Sequence, residues 1–591
     1  MKSRMKDTLL IWLLTLIMLP GYATEIDGEL KQWHTITLTF EGPTTSEYDT
    51  LNPFLNYRLQ TTFTQGEQQI TVPGYFAADG KASETSARAG NKWQVKFVPN
   101  LPGEWLYEVS FRQGKNIAIS DKLETGKGIA FDGESGKFEV IASDKSGRDF
   151  RSKGRLTKGA GHYPIFSGSK EVFVKGGTNS PEDLLAYYEF DGTPPKHHYA
   201  NHVNSYRHGD VTWQQGKGKN LIGAMNYLSD KGINAVYFLT MNVMGDGKNV
   251  WPWTEEHERY RFDVSKLAQW ELVFSHMDEV GLAQHLITQE TENENLLDIG
   301  YVGIQRKLYY REMIARFGHH LGLIWNMGEE NGITHWSPVG QTEKMREEMI
   351  NYFRSVEPYG NLLVIHTLPD LKDHERTMTP LLGNEALDGV SFQIHHQHDS
   401  YHVTTQWREK SAEAGYPWII WIDEIGPAKV GAWSDDRPAQ QDSVRKEVIY
   451  PNLIGGGAGI EHYFGYKQKH SDLTSEDWTV RDRLWTMTAH AIQYFDKLPL
   501  EQMLPVSQTS TGYCLAQAGE RYVVYIPEFG EELTLDLTQT EGKYSVHWFD
   551  PVTGKDELKG SVRRIKGGAK VSLGSPPIGY PAGQDWVVRV E

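Results

Sequence analysis

Across residues 30–140 apolar and polar positions alternate one by one in short runs: WHTITLTF, YRLQTTFT, WQVKFVPN and WLYEVSFR. Gly- and Pro-bearing stretches such as VPGYFAADGK and NLPGEW separate them. Period-two patterning with turns at this spacing predicts an antiparallel β-sandwich. From about residue 150 the period changes. EVFVKGG reads as a buried strand, LIGAMNYLSDKG as a helix with Gly232 past its end, and NAVYFLTMN as a strand. Asp263 is placed to cap VSKLAQWELVFSHMDEVG, which stops at Gly281. AQHLITQE, LGLIWNMGEEN, NLLVIH, DGVSFQIHH, PWIIWIDE and GAGIEHYFGY continue as strands. Helices are expected at IQRKLYYREMIARFG and TEKMREEMINYFRSV, and near 404–415, 438–452 and 478–497. Strand and helix alternate about eight times, which predicts a parallel sheet with helices on its faces and, over this length, a (β/α)8 barrel with long loops. A doubly wound open sheet is the rival, but no G-x-G-x-x-G follows the first strand. After residue 500 the β pattern returns in RYVVYIPEFG, LTLDLTQ, YSVHWFDPVTG and WVVRVE. The expected organisation is a leader at 1–23, a β-sandwich at 24–142, a barrel at 143–500 and a second sandwich at 501–591. The polar stretch 192–220 is expected to be a βα loop over the barrel mouth.

The leader carries Lys2, Arg4 and Lys6, an apolar run from Leu9 to Leu19, and then Pro20, Gly21, Tyr22 and Ala23. This is the pattern of an export signal cleaved after Ala23, too short for a relaxed membrane span, so a secreted or periplasmic protein is expected. Cys514 is the only cysteine, which leaves no intramolecular disulfide and no Cys-rich metal site. The chain of 591 residues has 60 Lys and Arg against 77 Asp and Glu, a net charge of −17. That balance speaks against nucleic acid and against anionic membranes as partners. The 18 Trp and 29 Tyr suit packed sandwiches, and equally suit flat platforms for sugar rings.

In a barrel, polar residues at the C-terminal ends of strands form the active site. LIWNM runs into Gly328-Glu329-Glu330-Asn331, and WIIWI into Asp423-Glu424. Glu330 and Glu424 are 94 residues apart, about three βα units, so that if one ends strand four the other ends strand seven. Two carboxylates facing one cleft can cleave a glycosidic bond: one protonates the leaving oxygen and the other attacks the anomeric carbon or activates water. Glu329, under apolar strand residues, supplies a like charge that raises the pKa of the acid. Strand alternation puts Glu329 pointing away from the cleft or behind Glu330. Asn179, Asn242, Glu290, His366, Gln393, His395, His396 and His462 end other strands and, with Glu329 and Asp423, are candidate substrate contacts. No cofactor and no metal are expected. The segment His395–Asp399 keeps a metal-assisted hydrolase or lyase as an alternative, and a non-catalytic polysaccharide-binding barrel is another. There is no G-x-S-x-G serine elbow.

With these residues in view, the barrel resembles the apiosidase-like glycoside hydrolases, relatives of the large retaining clan of (β/α)8 glycosidases. The clan's strand-four pattern W-x-x-x-N-E reads here Trp325-Asn326-Met327-Gly328-Glu329-Glu330, with Glu329 where the clan carries Asn. The resemblance implies Glu330 as acid/base and Glu424, in WIIWIDEIGP, as nucleophile of a retaining mechanism on a carbohydrate substrate. The front segment resembles the uncharacterised sandwich that often precedes such barrels, and the tail the sandwich called collagen-binding that follows them.

Overall fold

The computed structural model describes residues 24–591 apart from Leu123, Trp336 and Glu531. The leader and its expected cleavage point lie outside these residues. A closed barrel of eight parallel strands forms the centre: β1 Lys175–Thr178, β2 Ala235–Leu239, β3 Ala283–Ile287, β4 Leu323–Asn326, β5 Leu362–His366, β6 Gly389–Ile394, β7 Ile419–Ile425 and β8 Gly459–His462. Each strand pairs with the next, and β1 closes on β8 with Lys175 opposite Gly459 and Thr178 opposite His462. Every residue of these strands is buried. Helices cover the outside and side chains fill the inside, so apolar runs replace period-two alternation.

The covering helices are α1 Lys219–Asp230, α2 Val264–Val280, α3 Ile304–Phe317, α4 Glu343–Val356, α5 Leu371–Met378, α6 Ser400–Glu413, α7 Pro438–Val444 and α8 Asp482–Phe495. α7 runs on through a π turn at Arg445–Ile449 into Tyr450–Ile454. Asp263 caps α2, its carboxylate accepting from Lys266 N at 3.0 Å. Gly281 ends the same helix at φ +73°, a left-handed position that suits glycine. Residues 179–218 connect β1 to α1 and contain the polar stretch. Among the described residues no helix is long and apolar enough to cross a membrane.

Antiparallel sheets flank the barrel. In front, one sheet holds Glu25–Asp27, Ile36–Ser46, Ala89–Phe97 and Tyr75–Phe76. A second, built around Tyr57–Gln65 and Gly103–Gln113, packs on it. Phe63 and Phe97 stack between them at 3.9 Å. At the C-terminal side a six-stranded sheet, Leu504–Val506 to Trp586–Val590, faces the pair Leu533–Asp536 and Lys570–Gly574 across Trp548 and Trp586.

One apolar core runs from the front sheets through the barrel into the outer face of the six-stranded sheet. It includes Phe40, Phe97, Phe262, Trp270, Tyr450, Phe495, Tyr525 and Val587. Polar ties reinforce both joints. Lys96 pairs with Glu271 at 2.7 Å, and Glu47 accepts from Val264 N at 2.8 Å. Arg445 grips Asp585 at 2.7 and 3.0 Å, while Tyr525 Oη donates to the same carboxylate at 2.9 Å.

The barrel axis is polar at its centre. Lys175 Nζ lies 2.7 Å from Asp423 and 3.3 Å from Glu461, over the Trp421 ring at 3.9 Å. His285 Nδ1 bonds Glu461 at 2.8 Å, and its Nε2 meets Asn326 Nδ2 at 3.1 Å. All five polar residues of this network are fully buried or within 1% of it. Burial of a lysine is tolerated because two carboxylates share it.

Candidate active site

The site grows out of an irregularity in β7. Ser391 and Phe392 of β6 pair with Trp421 and Ile422, but Gln393 pairs with Glu424, so Asp423 is an extra residue. Such a bulge re-aims the side chains beyond it. Trp421 and Asp423 both reach Lys175 inside the barrel, and strict alternation would turn Glu424 outward. Instead Glu424 faces the same interior as Gln393, whose Nε2 donates to its Oε1 at 2.5 Å. On the other side His366, at the end of β5, holds its Nε2 3.3 Å from Glu424 Oε2 and its Nδ1 2.9 Å from Ser391 Oγ. Burial lowers the His366 pKa to about 4, so this imidazole is neutral at neutral pH.

β4 stops at Asn326, and 327–330 turn across the barrel mouth. Glu330 takes φ +45°, a left-handed conformation that costs a non-glycine residue about 1 kcal/mol. That backbone turns Glu330 toward the Gln393 side chain, whose amide lowers its pKa as it does that of Glu424. Burial, then the charge of Glu424, pushes Glu330 up to about 8, while Gln393 pulls it down. Burial pushes Glu424 up to about 7 against the same amide. Glu330, Gln393 and His395 line a cleft of about 540 Å³ with Thr334, Leu368 and Arg376. Glu329 follows the end of the strand, where alternation no longer sets direction. Its carboxylate lies deeper, within 4.8 Å of donor atoms of both Glu424 and His366. Burial and the charges of Glu290, Glu424 and Glu330 raise its pKa well above the usual range.

The other sequence candidates divide. Glu290 joins the carboxylate group, accepting from Asp246 N at 2.8 Å and Asn293 Nδ2 at 3.0 Å. Asn179 is buried below the cleft, donating to Asp423 O at 2.8 Å. Asn242 spends its amide on Asn249 and Val250 within the β2–α2 loop. Asp423 points into the barrel at Lys175 rather than into the cleft. His462 turns to the helix layer, with Nε2 2.8 Å from Thr488 Oγ1. These four side chains bond protein partners, with Asn179 Oδ1 left buried without one among the described residues. His395 and His396 are exposed beyond the end of β6. The segment His395–Asp399 is not strand: β6 stops at Ile394, residues 397–399 form a single 3-10 turn, and the His396 and His398 rings stack at 5.3 Å. Among the described residues, no group of three donors within 4.8 Å of one another includes this segment.

Three residues that the sequence pattern did not single out join the site. Glu182 lies in the loop after β1, and burial with the charges of Glu329 and Asp472 raises its pKa well above the usual range. Asp472, in the loop after β8, is pushed up to about 8, chiefly by burial. Tyr237, inside β2, sits among Glu329, Glu424 and Glu182. The first two stand in loops without periodicity, and Tyr237 reads as one more apolar strand residue.

A closed parallel barrel flanked by antiparallel sheets, with carboxylates gathered at the C-terminal ends of its strands, has the fold of (β/α)8 glycoside hydrolases. A protein from Bacteroides vulgatus ATCC 8482 described as a "putative glycoside hydrolase" is similar at 16% identity and TM-score 0.62, over 95% of this chain and 99% of that one. A glycoside hydrolase family 5 protein from the same organism is similar at 15% identity and TM-score 0.54, over 76% of this chain and 95% of that one. Residues 29–112 match the domain of unknown function DUF5060, and residues 501–591 the family described as "putative collagen-binding domain of a collagenase". No curated protein matches the chain.

Proposed function

We propose that the chain is a retaining glycoside hydrolase in which Glu330 is the acid/base and Glu424 the nucleophile. One observation carries this reading: Glu330 and Glu424, at the ends of β4 and β7, converge on the Gln393 side chain, which donates to Glu424 and lowers the pKa of both. Retention is the outcome that the strand-four and strand-seven patterns support. Retaining enzymes hold their carboxyls about 5–5.5 Å apart, whereas inverting ones need about 6.5–9.5 Å to admit a water. In the first step Glu424 attacks the anomeric carbon while the Glu330 proton passes to the departing oxygen. In the second, Glu330 takes a proton from water, whose oxygen displaces Glu424. The charge of Glu424 favours the proton on Glu330, which suits these roles. The strand-four and strand-seven patterns support a place near the apiosidase-like enzymes. The N-terminal leader supports action outside the cytoplasm on a glycan.

The test is product analysis on plant and algal polysaccharides, with the anomeric configuration followed by proton NMR from the first minutes. Net retention is expected, with turnover falling by orders of magnitude in Glu330→Gln and Glu424→Gln variants that still fold. Inverted product overturns the mechanism, and full activity in either variant overturns the assignment.

A further inference from the structure

Glu182, Glu290 and Glu329 come from the loops after β1, β3 and β4, and one oxygen of each lies within 4.8 Å of the others. Their exposures are 7%, 4% and 6%. Lys175 is committed to Asp423 and Glu461, Lys196 to Asp183, and Arg306 to Gln289 and the Glu294 carbonyl. Three buried carboxyls this close together keep their protons unless a cation takes their place. Two further groups point at the same spot. Glu329 Oε2 is buried without a hydrogen-bond partner among the described residues. The wholly buried Tyr237 hydroxyl, aimed at Glu329, makes no hydrogen bond of ordinary geometry. Glu290 is fixed for the role by Asp246 N and Asn293 Nδ2. The loop above it passes so close that a Cβ at Gly245 would fall 1.8 Å from its carboxylate.

We propose that Glu182, Glu290 and Glu329 bind a single calcium ion. The donors are all oxygen, which selects a hard cation over zinc. Calcium loses its water readily and accepts an irregular donor set, whereas magnesium keeps several waters and an octahedral shell. Oxygens held at about 2.4 Å from one calcium stand no more than about 4.8 Å apart, and the three of this group lie within that limit. Such ligands escape a reading of the sequence because they are scattered over three strand ends with no recurring spacing. The site stands apart from the hydrolytic reading, since a cation can be held whether or not Glu330 and Glu424 perform chemistry.

The full-length protein, stripped with EDTA and dialysed, is titrated with calcium chloride by calorimetry, and its melting is followed with and without the ion. One calcium per chain and a rise in melting temperature of several degrees are expected, with magnesium at least tenfold weaker. Glu182→Gln and Glu290→Gln should each weaken calcium binding at least tenfold. In the ion-free state both should melt no lower than the parent, because each removes a like charge and keeps the shape. No calcium binding to the parent at millimolar concentration, or parent-like binding by both variants, overturns the proposal. So does stabilisation by glucosamine but not by calcium, which would assign the three carboxylates to an ammonium group.

Discussion

Replacing Gln393 by Met removes the amide that donates to Glu424 and holds down the pKa of Glu330, while nearly keeping the volume. A hydrogen bond to a charged group contributes about 1.5–3 kcal/mol, so each glutamate loses a stabilisation of its ionised form worth about 1–2 pKa units. Glu424 works ionised. Its activity falls as pH drops through its pKa of about 7, and raising that pKa moves the acid limb upward. Glu330 works protonated. Its limb lies on the alkaline side at about 8, and raising it moves that limb upward too. The whole bell of kcat/KM against pH should therefore shift to higher pH by about 1–2 units. At pH 6, below both limbs, the variant should lose about 10- to 100-fold, and near pH 9 it should recover much of the deficit. The assay is kcat/KM on the best substrate from the glycan screen, measured every half unit from pH 5 to 10. A uniform loss at all pH values, or a bell that stays or moves down, would refute this role of the Gln393 amide.

Lys175→Met should leave Asp423 and Glu461 facing each other without a cation, at a cost of about 3–5 kcal/mol near pH 8. Glu461 already titrates at about 7 because of burial. A carboxyl raised in the folded state destabilises it only as pH climbs from the unfolded value, so the deficit should shrink toward pH 5. Urea unfolding at the two pH values checks this, and equal deficits would refute it. Asp585→Asn breaks the paired grip of Arg445 and should cost about 3–5 kcal/mol at the joint. Limited proteolysis should then cut near residue 500 sooner than in the parent, and an unchanged digestion pattern would count against that role.

The barrel and its flanking sheets were legible because hydrophobic periodicity reports burial directly, and the switch from alternation to continuous runs at residue 150 marks the change from half-exposed to doubly covered strands. The ends of β4 and β7 were legible for the same reason: an acid after a buried run has few places to go. What periodicity could not show was direction. The extra residue in β7 sends Asp423 and Glu424 to the same interior, and the left-handed Glu330 sits beyond the end of β4, where strand alternation no longer sets direction. Asn242 and His462 end strands as candidates should, yet their partners are local backbone and an outer helix. Glu182 and Asp472 escaped because long loops carry no period.

The shared core has a consequence for inheritance. Tyr450 stacks on Tyr525 at 4.8 Å, and Tyr401 on Tyr513 at 4.1 Å. On the opposite flank Phe54 meets Phe262 at 5.4 Å. Each aromatic is half of a contact whose other half lies beyond the supposed seam. A recombination event that swapped only one of the three units would bring in a face cut for a different neighbour and leave rings exposed to water. Exchange of the barrel alone is therefore selected against, and the three pieces should travel through lineages as one cassette, with variation concentrated in the loops over the mouth.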